Sequence, residues 1–129
     1  QTPRTIGGEP FIVVHLHPDC PTGHTVFADS DNNGPWGEAL TTELIPYIEK
    51  TYRAYNDPGA RFVNGHSSGG WSSLWLQVEY PEVFGGVWST SPDPVDFRDF
   101  QRIDLYNPGS NFFVDSTNAR RPIGRNGSK

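Results

Sequence analysis

Five residues near the middle of the chain have the types and spacing that serine-based acyl transfer requires. Gly65-His66-Ser67-Ser68-Gly69 is a Gly-x-Ser-x-Gly pattern, with a short strand predicted before it and a helix predicted after it. A serine on such a strand-to-helix turn has a strained backbone and an exposed hydroxyl, which attacks a carbonyl carbon. Ser67 is therefore the candidate nucleophile.

The neighbours of Ser67 have predicted roles of their own. The backbone N–H of Ser68 is the candidate donor to an oxyanion, helped by the N-terminus of the following helix. His66 and Trp36 are candidates for lining a substrate site. Three small residues are predicted to supply the space that the turn needs: Gly65, Gly69 and Gly70. A glycine-rich helix start that only needs close packing is the alternative interpretation of the same pattern.

The elements around this turn are predicted to alternate between strands and helices. Residues 11–16 form a nearly continuous apolar run, which is typical of a strand buried on both faces. Further short strands are predicted at residues 61–64 and within 83–90. This order predicts an α/β fold with parallel strands flanked by helices and joined by long irregular loops, such as residues 18–35.

Two helices are predicted from the spacing of apolar residues. The first spans residues 36–55, and Pro46 inside it predicts a kink or a break. The second begins at about Ser68 and ends before Pro81. Four residues form the predicted core stripe of this second helix: Trp71, Leu74, Trp75 and Val78.

The length and composition indicate one domain that is rich in turns. The chain has 129 residues, 14 glycines, 12 prolines and a net charge of −5. This charge argues against a nucleic-acid partner, and the sequence has no run of about 18 apolar residues that would span a membrane. Residues 107–129 are predicted to be a disordered or extended tail. Cys20 is the one cysteine, so the sequence leaves the compartment open.

Four segments together resemble one known family. They are NGPWG at residues 33–37, ELIPYIE at 43–49, GHSSGG at 65–70 and YPEVF at 80–84. With them, the chain from about Phe11 to Phe97 resembles the putative-esterase family of α/β hydrolases, the group that contains esterase D and enterochelin esterase. The resemblance implies a partial α/β-hydrolase fold and a carboxylesterase that acts on small-molecule esters. It also implies an acyl-enzyme on Ser67, an oxyanion donor at Ser68 N–H and no cofactor.

The sequence departs from this pattern after the nucleophile. The family's chain order is nucleophile, then acid, then histidine, but no histidine follows Ser67. Acids do follow, at Asp93, Asp96, Asp99, Asp104 and Asp115. The resemblance also implies that the second oxyanion donor and a strand between residues 11–16 and 61–64 belong to sequence before Gln1. The chain is therefore predicted to be a single incomplete domain, residues 1–129, with little activity by itself.

Three further interpretations remain open. His17 is the candidate base if the chain rearranges so that an upstream histidine reaches Ser67. His15, His17 and Asp19, with Cys20 and His24 nearby, have residue types that suit zinc and would indicate a metal-dependent hydrolase. A non-catalytic binding or scaffold domain is the third alternative, with tryptophans lining a ligand surface.

The predicted sheet is incomplete, so some of its strand edges have no neighbouring strand. Unpaired strand edges of this kind predict a homo-oligomer.

Overall fold

A computed structural model of the protein describes residues 4–100 and 102–121, and these form two compact units that meet in sequence between Asp93 and Pro94. The regular helices and paired strands that it assigns all belong to the first unit. No described helix combines the length and apolar character that crossing a bilayer requires. A single incomplete domain over residues 1–129 stays a prediction.

Short antiparallel strand pairs and two helices form the first part of this unit. The strand pairs are β1 (Arg4–Ile6) with β2 (Glu9–Phe11), β3 (Asp19–Cys20) with β4 (Gly23–His24), and β5 (Asp29–Ser30) with β6 (Gly34–Pro35). The helices are α1 (Trp36–Ala39) and α2 (Ile45–Tyr52), joined by a π-helical turn at Leu40–Leu44. The segment between Asp19 and Pro35, predicted to be loop, thus contains four short strands.

A β–α–β unit follows and carries the predicted nucleophile. After a 3₁₀ turn (Pro58–Ala60), β7 (Phe62–His66) leads into α3 (Ser68–Glu79), and the chain returns as β8 (Gly86–Thr90). β7 and β8 are parallel, with Phe62 opposite Gly86 and His66 opposite Thr90. The predicted α/β class is therefore confirmed in part, as one helix that connects two parallel strands.

The strand predicted at residues 11–16 was wrong. β2 ends at Phe11, and residues 12–18 belong to no strand. An extended segment forms a strand only when its N–H and C=O groups pair with a neighbour, and among the described residues no strand lies beside this one. Its apolar side chains, from Ile12 to Leu16, are consequently exposed.

The helical region around Pro46 neither breaks nor continues to residue 55. Pro46 has no N–H, so the carbonyl of Thr42 lacks its α-helical donor, and the wider π-helical turn lies just before this position. The helix ends at Tyr52 because Arg53 adopts the left-handed conformation, with φ 55° and ψ 38°.

The buried face of α3 differs from the predicted stripe. Its buried residues are Gly70, Ser72, Ser73 and Leu76. Val78 is exposed, whereas Trp71, Leu74 and Trp75 are half-buried. Small residues bring the helix close to the strands, and their hydroxyls bond within the helix, from Ser72 Oγ to Ser68 O (2.8 Å) and from Ser73 Oγ to Gly70 O (2.9 Å). The spacing of apolar residues does not predict a buried helix face that consists mainly of glycine and serine.

Asp29 joins the first helix to the end of α3. Its Oδ1 accepts hydrogen bonds from the N–H groups of Gly37 (2.8 Å) and Glu38 (3.0 Å), at the start of α1. Its Oδ2 accepts the hydroxyl of Tyr80, which follows α3. Partial burial and this contact with the Asp29 carboxylate raise the pKa of Tyr80 above its ordinary value. Next to this contact, the small core contains Leu40, Leu76 and Phe84.

A largely buried ion pair connects α2 to the β–α–β unit. The side chains of Arg61 and Glu49 are only 17% and 12% exposed, and Arg61 Nε donates to Glu49 Oε1. The same guanidinium donates to Asn56 Oδ1 (2.7 Å) and to the carbonyl of Val83 (3.2 Å). One side chain thus holds α2, the following loop and the segment that enters β8.

The second unit consists of turns with an aromatic cluster. The ring centroids of Phe97 and Phe100 are 5.4 Å apart, and those of Phe100 and Phe112 are 6.3 Å apart. Hydrogen bonds from the Arg98 guanidinium lower the pKa of Asp96 to about 2. Residues 107–121 of the predicted tail form hydrogen-bonded turns, including a bridge between Val114 and Arg120. Residues 122–129, with Arg125 and Lys129, lie outside the described residues.

One face of the β7–β8 pair is open. Phe62 and Trp88 are 71% and 75% exposed, whereas their sequence neighbours Val63, Val87 and Ser89 are half-buried. Each strand also has one unpaired edge within the described part of the chain. A homo-oligomer formed through these edges stays a prediction.

Self-association through this sheet is testable in solution. We expect the mass of the 129-residue chain to rise above that of a monomer with concentration, because apolar side chains and unpaired backbone groups are exposed together. Trp88→Glu should lower the mass measured by light scattering, whereas Tyr55→Glu, at an exposed aromatic outside the sheet, should not. A monomer at every concentration would contradict the prediction.

The Arg61 network predicts a loss of stability. Arg61→Met keeps the apolar stem but leaves the Glu49 carboxylate and the Val83 carbonyl without their donor, so the free energy of unfolding should fall by about 2 kcal/mol. Lys50→Met removes an exposed charge from α2, the helix that carries Glu49. It should change the free energy of unfolding by less than about 0.5 kcal/mol. Urea unfolding curves measure both, and equal losses would show that the network is not stabilising.

Candidate active site

Ser67 is the only residue between β7 and α3, and its backbone is strained. Its φ of 56° and ψ of −122° lie in a region that residues other than glycine rarely adopt, at a cost of about 1–3 kcal/mol. Two hydrogen bonds hold this conformation, from Ser67 N to the carbonyl of Thr90 (3.0 Å) and from Trp71 N to the carbonyl of Ser67 (3.0 Å). The serine side chain consequently lies at the exposed end of the parallel pair.

At two of the three predicted glycines, a side chain would collide with the backbone. A Cβ at Gly65 would lie 1.9 Å from the carbonyl oxygen of Gly69, and a Cβ at Gly70 would lie 2.8 Å from that of Thr90. The expectation that Gly69 also supplies space was wrong, because a Cβ there would meet nothing within 4 Å. The turn requires the absence of a side chain before the serine and at the contact with β8.

Ser68 begins α3, where the first N–H groups have no partner within the helix. Its backbone N–H therefore lies next to the nucleophile, at the positive end of the helix dipole. Stabilisation of an oxyanion by this group stays a prediction.

Asp93 contacts both serines of the turn. Ser67 Oγ donates to Asp93 Oδ1 (3.3 Å), Ser68 Oγ donates to Asp93 Oδ2 (2.6 Å), and Asp93 N donates to the carbonyl of Ser67 (3.4 Å). Sequence reasoning named Asp93 among five aspartates after the nucleophile but gave it no role. Its position just beyond the end of β8 was the available signal, since the carboxyl ends of parallel strands meet at one edge of a sheet.

Two of the other predicted site residues, His17 and Trp36, have polar contacts elsewhere. His17 is 81% exposed, and its Nε2 lies 3.7 Å from Asp19 Oδ2, so its observed contact gives no support to a role as base for Ser67. Trp36 begins α1, and its Nε1 donates to the carbonyl of Asn33 (2.6 Å). His66 is the last residue of β7 and is exposed beside the nucleophile.

The metal-binding cluster predicted from His15, His17 and Asp19 is not assembled. Within residues 4–100 and 102–121, no three His, Cys, Asp or Glu side chains form a group that could hold a metal ion. His24 instead accepts a hydrogen bond from Val26 N at Nδ1 (2.9 Å), and Cys20 Sγ contacts Thr22 Oγ1 at 3.2 Å. The described residues therefore give no structural support to a metal-dependent hydrolase, because the candidate ligands do not lie together.

The two glycines of the motif predict opposite results when each is replaced by alanine. Gly65→Ala should lower the free energy of unfolding by about 3 kcal/mol, because the added methyl group meets backbone atoms that cannot move independently. Gly69→Ala should leave it unchanged or raise it by up to about 1 kcal/mol, since the position is helical and open. Thermal or urea unfolding measures the difference, and similar effects for the two variants would contradict the observed turn.

Comparison with known proteins gives a family match for the chain. The profile of a family described as "Putative esterase" matches residues 19–121, which include both Ser67 and Asp93. An uncharacterized protein of Bacillus subtilis (strain 168), YbbA, is 35% identical over 52 residues, which are 40% of this chain and 21% of that protein. The matched segment thus spans about a fifth of the relative's length. No solved structure matches. Because the family profile covers most of the chain, the protein belongs to the putative esterase family.

Proposed function

We propose that the chain carries the nucleophile of a serine carboxylesterase that hydrolyses small-molecule esters through an acyl-enzyme on Ser67. The observation that carries the proposal is the strained conformation of Ser67 at the turn from β7 to α3. A protein retains a strained, exposed serine at a cost in stability, and such strain is concentrated at functional sites. Membership of an esterase family supports the same conclusion.

The reaction follows from the groups around the turn. Ser67 Oγ attacks the ester carbonyl carbon, and the N–H of Ser68 stabilises the negative charge that develops on the carbonyl oxygen. The alcohol leaves, and water releases the acid from the acyl-enzyme. These steps require no cofactor.

The rate of this chain by itself is proposed to be low. No histidine follows Ser67 in the sequence, and imidazole is the base that this chemistry usually employs. Proteins that lose one member of a catalytic triad keep a residual rate from binding and oxyanion stabilisation. Weak hydrolysis of activated esters is therefore the expected activity.

A non-catalytic binding domain is the second candidate, favoured by one observation. Trp88 is 75% exposed on the open face of the β7–β8 pair, where it could contact a ligand or a partner. The two candidates differ in whether Ser67 reacts.

Covalent labelling tests the nucleophile directly. A fluorophosphonate should label the chain at one residue, because it reacts with activated serines, and Ser67→Ala should abolish the labelling. The same variant should lower the hydrolysis of p-nitrophenyl butyrate by roughly 10²-fold.

Ser30→Ala is the matched control, since Ser30 is an exposed serine at the end of β5, and this variant should be labelled like the unaltered chain. Mass spectrometry of the labelled peptide identifies the site. Absence of labelling in the unaltered chain would favour the binding domain and end the proposal of an esterase for this chain.

A further inference from the structure

We propose that the Asp93 carboxylate selects esters by charge, so that the site favours acyl groups that are cationic or uncharged over acyl groups that carry a negative charge. This inference rests on the proposed function of Ser67 and adds a class of substrate to it. Asp93 is a specificity-determining residue in this proposal and has no role in proton transfer.

Two serine hydroxyls hold the Asp93 carboxylate at the turn. Ser68 Oγ donates to Oδ2 at 2.6 Å, a distance typical of a hydrogen bond to a charged oxygen. Oδ1 is then turned toward Ser67 Oγ, which lies 3.3 Å away. An ester that reacts at Ser67 Oγ therefore lies next to this carboxylate.

The backbone fixes the same residue. Ser67 N donates to the carbonyl of Thr90 (3.0 Å), and Asp93 N donates to the carbonyl of Ser67 (3.4 Å), so both backbone groups of the nucleophile contact residues 90–93. The lack of a side chain at Gly70 allows the close approach, since a Cβ there would lie 3.1 Å from Cα of Pro92. The negative charge is consequently held in one place by backbone contacts as well as by the serine hydroxyls.

This charge is accessible and is not neutralised by a neighbouring side chain. Asp93 and Ser67 are both exposed. In the part of the chain that the structure describes, no basic side chain forms an ion pair with Asp93. The hydroxyls that it accepts from are uncharged donors. A substrate at Ser67 therefore meets a full negative charge, which repels a like charge and attracts an opposite one.

The N-terminus of α3 opposes this effect without cancelling it. The dipole of a helix is equivalent to about half a positive charge at its first turn. The carboxylate carries twice that amount with the opposite sign and lies at the same turn. The local field beside Ser67 is therefore negative.

The expected preference is modest because solvent reaches the site. Two unit charges about 8 Å apart at a protein surface change a rate a few-fold. We therefore expect the ratio of kcat/KM for a cationic ester to kcat/KM for an anionic ester to be lowered about 5-fold by Asp93→Asn. Asp93→Glu retains the carboxylate and should retain most of the preference.

Three p-nitrophenyl esters of similar acyl chain length provide the measurement. The acyl groups are trimethylammoniobutyrate, its uncharged isostere with a tert-butyl group in place of the trimethylammonium, and the anionic sulfobutyrate. None of these end groups attacks the ester itself. Each rate is divided by the rate without protein, and only the part of kcat/KM that Ser67→Ala removes is counted.

Glu79→Gln is the matched control. It removes the same charge from an exposed side chain at the last residue of α3, and 12 helical residues put that position about 16 Å along the axis from the turn. Both variants have the same net charge, so the field of the whole acidic chain and the contribution of His66 cancel in the comparison. Glu79→Gln should change the ratio by less than about 1.5-fold, since this separation exceeds the screening length at about 0.1 M salt.

Ionic strength separates a charge effect from a steric one. Raising the salt concentration from about 0.01 M to about 1 M shortens the screening length from about 30 Å to about 3 Å. The preference of the unaltered chain for the cationic ester over its uncharged isostere should therefore disappear. A preference based on shape would persist.

Circular dichroism checks that each variant folds, and the salt dependence tests the unaltered chain even if Asp93→Asn does not. If Asp93→Asn and Glu79→Gln give the same ratio, or if the preference persists at high salt, Asp93 does not select by charge, although Ser67 remains the nucleophile. If the unaltered chain hydrolyses none of the three esters faster than Ser67→Ala, the proposed function fails and this inference fails with it.

Discussion

At the turn from β7 to α3, a Cβ at Gly65 would lie 1.9 Å from the carbonyl oxygen of Gly69, and this lack of room determines how Ser67 is presented. The helix can begin so close to the strand only if the residue between them adopts a positive φ. The strained backbone then projects the serine beyond the end of the strand, and it leaves the first N–H groups of α3 next to the hydroxyl. The chemistry proposed for this chain depends on that approach.

The remainder of the first unit holds α3 in this position. Gly70 and the buried serines let the helix lie against β8, whose last residue accepts the hydrogen bond from Ser67 N. At the other end of the helix, Tyr80 is hydrogen-bonded to Asp29, which also caps α1. Arg61, just before β7, connects α2 to the segment that enters β8. Hydrogen bonds and an ion pair thus hold these elements together beside a core of three buried apolar residues.

The same contacts place an acidic side chain beside the nucleophile. The segment after β8 returns to the turn and brings a carboxylate to both serine hydroxyls. The open face and edges of the β7–β8 pair show how few strands surround this site in the described residues.

The sequence by itself determined the local features of the site. The Gly-x-Ser-x-Gly spacing predicted the turn, and apolar spacing with Pro81 predicted the existence of α3, because these depend on neighbours a few residues apart. Only the tertiary structure decided the long-range features: residues 12–16 do not become a strand without a partner, α3 buries Ser72 and Ser73 rather than Val78, and Asp93 reaches Ser67. Strand pairing, helix burial and the meeting of two loops each depend on residues far apart in the chain, and the pattern of one segment does not contain that information.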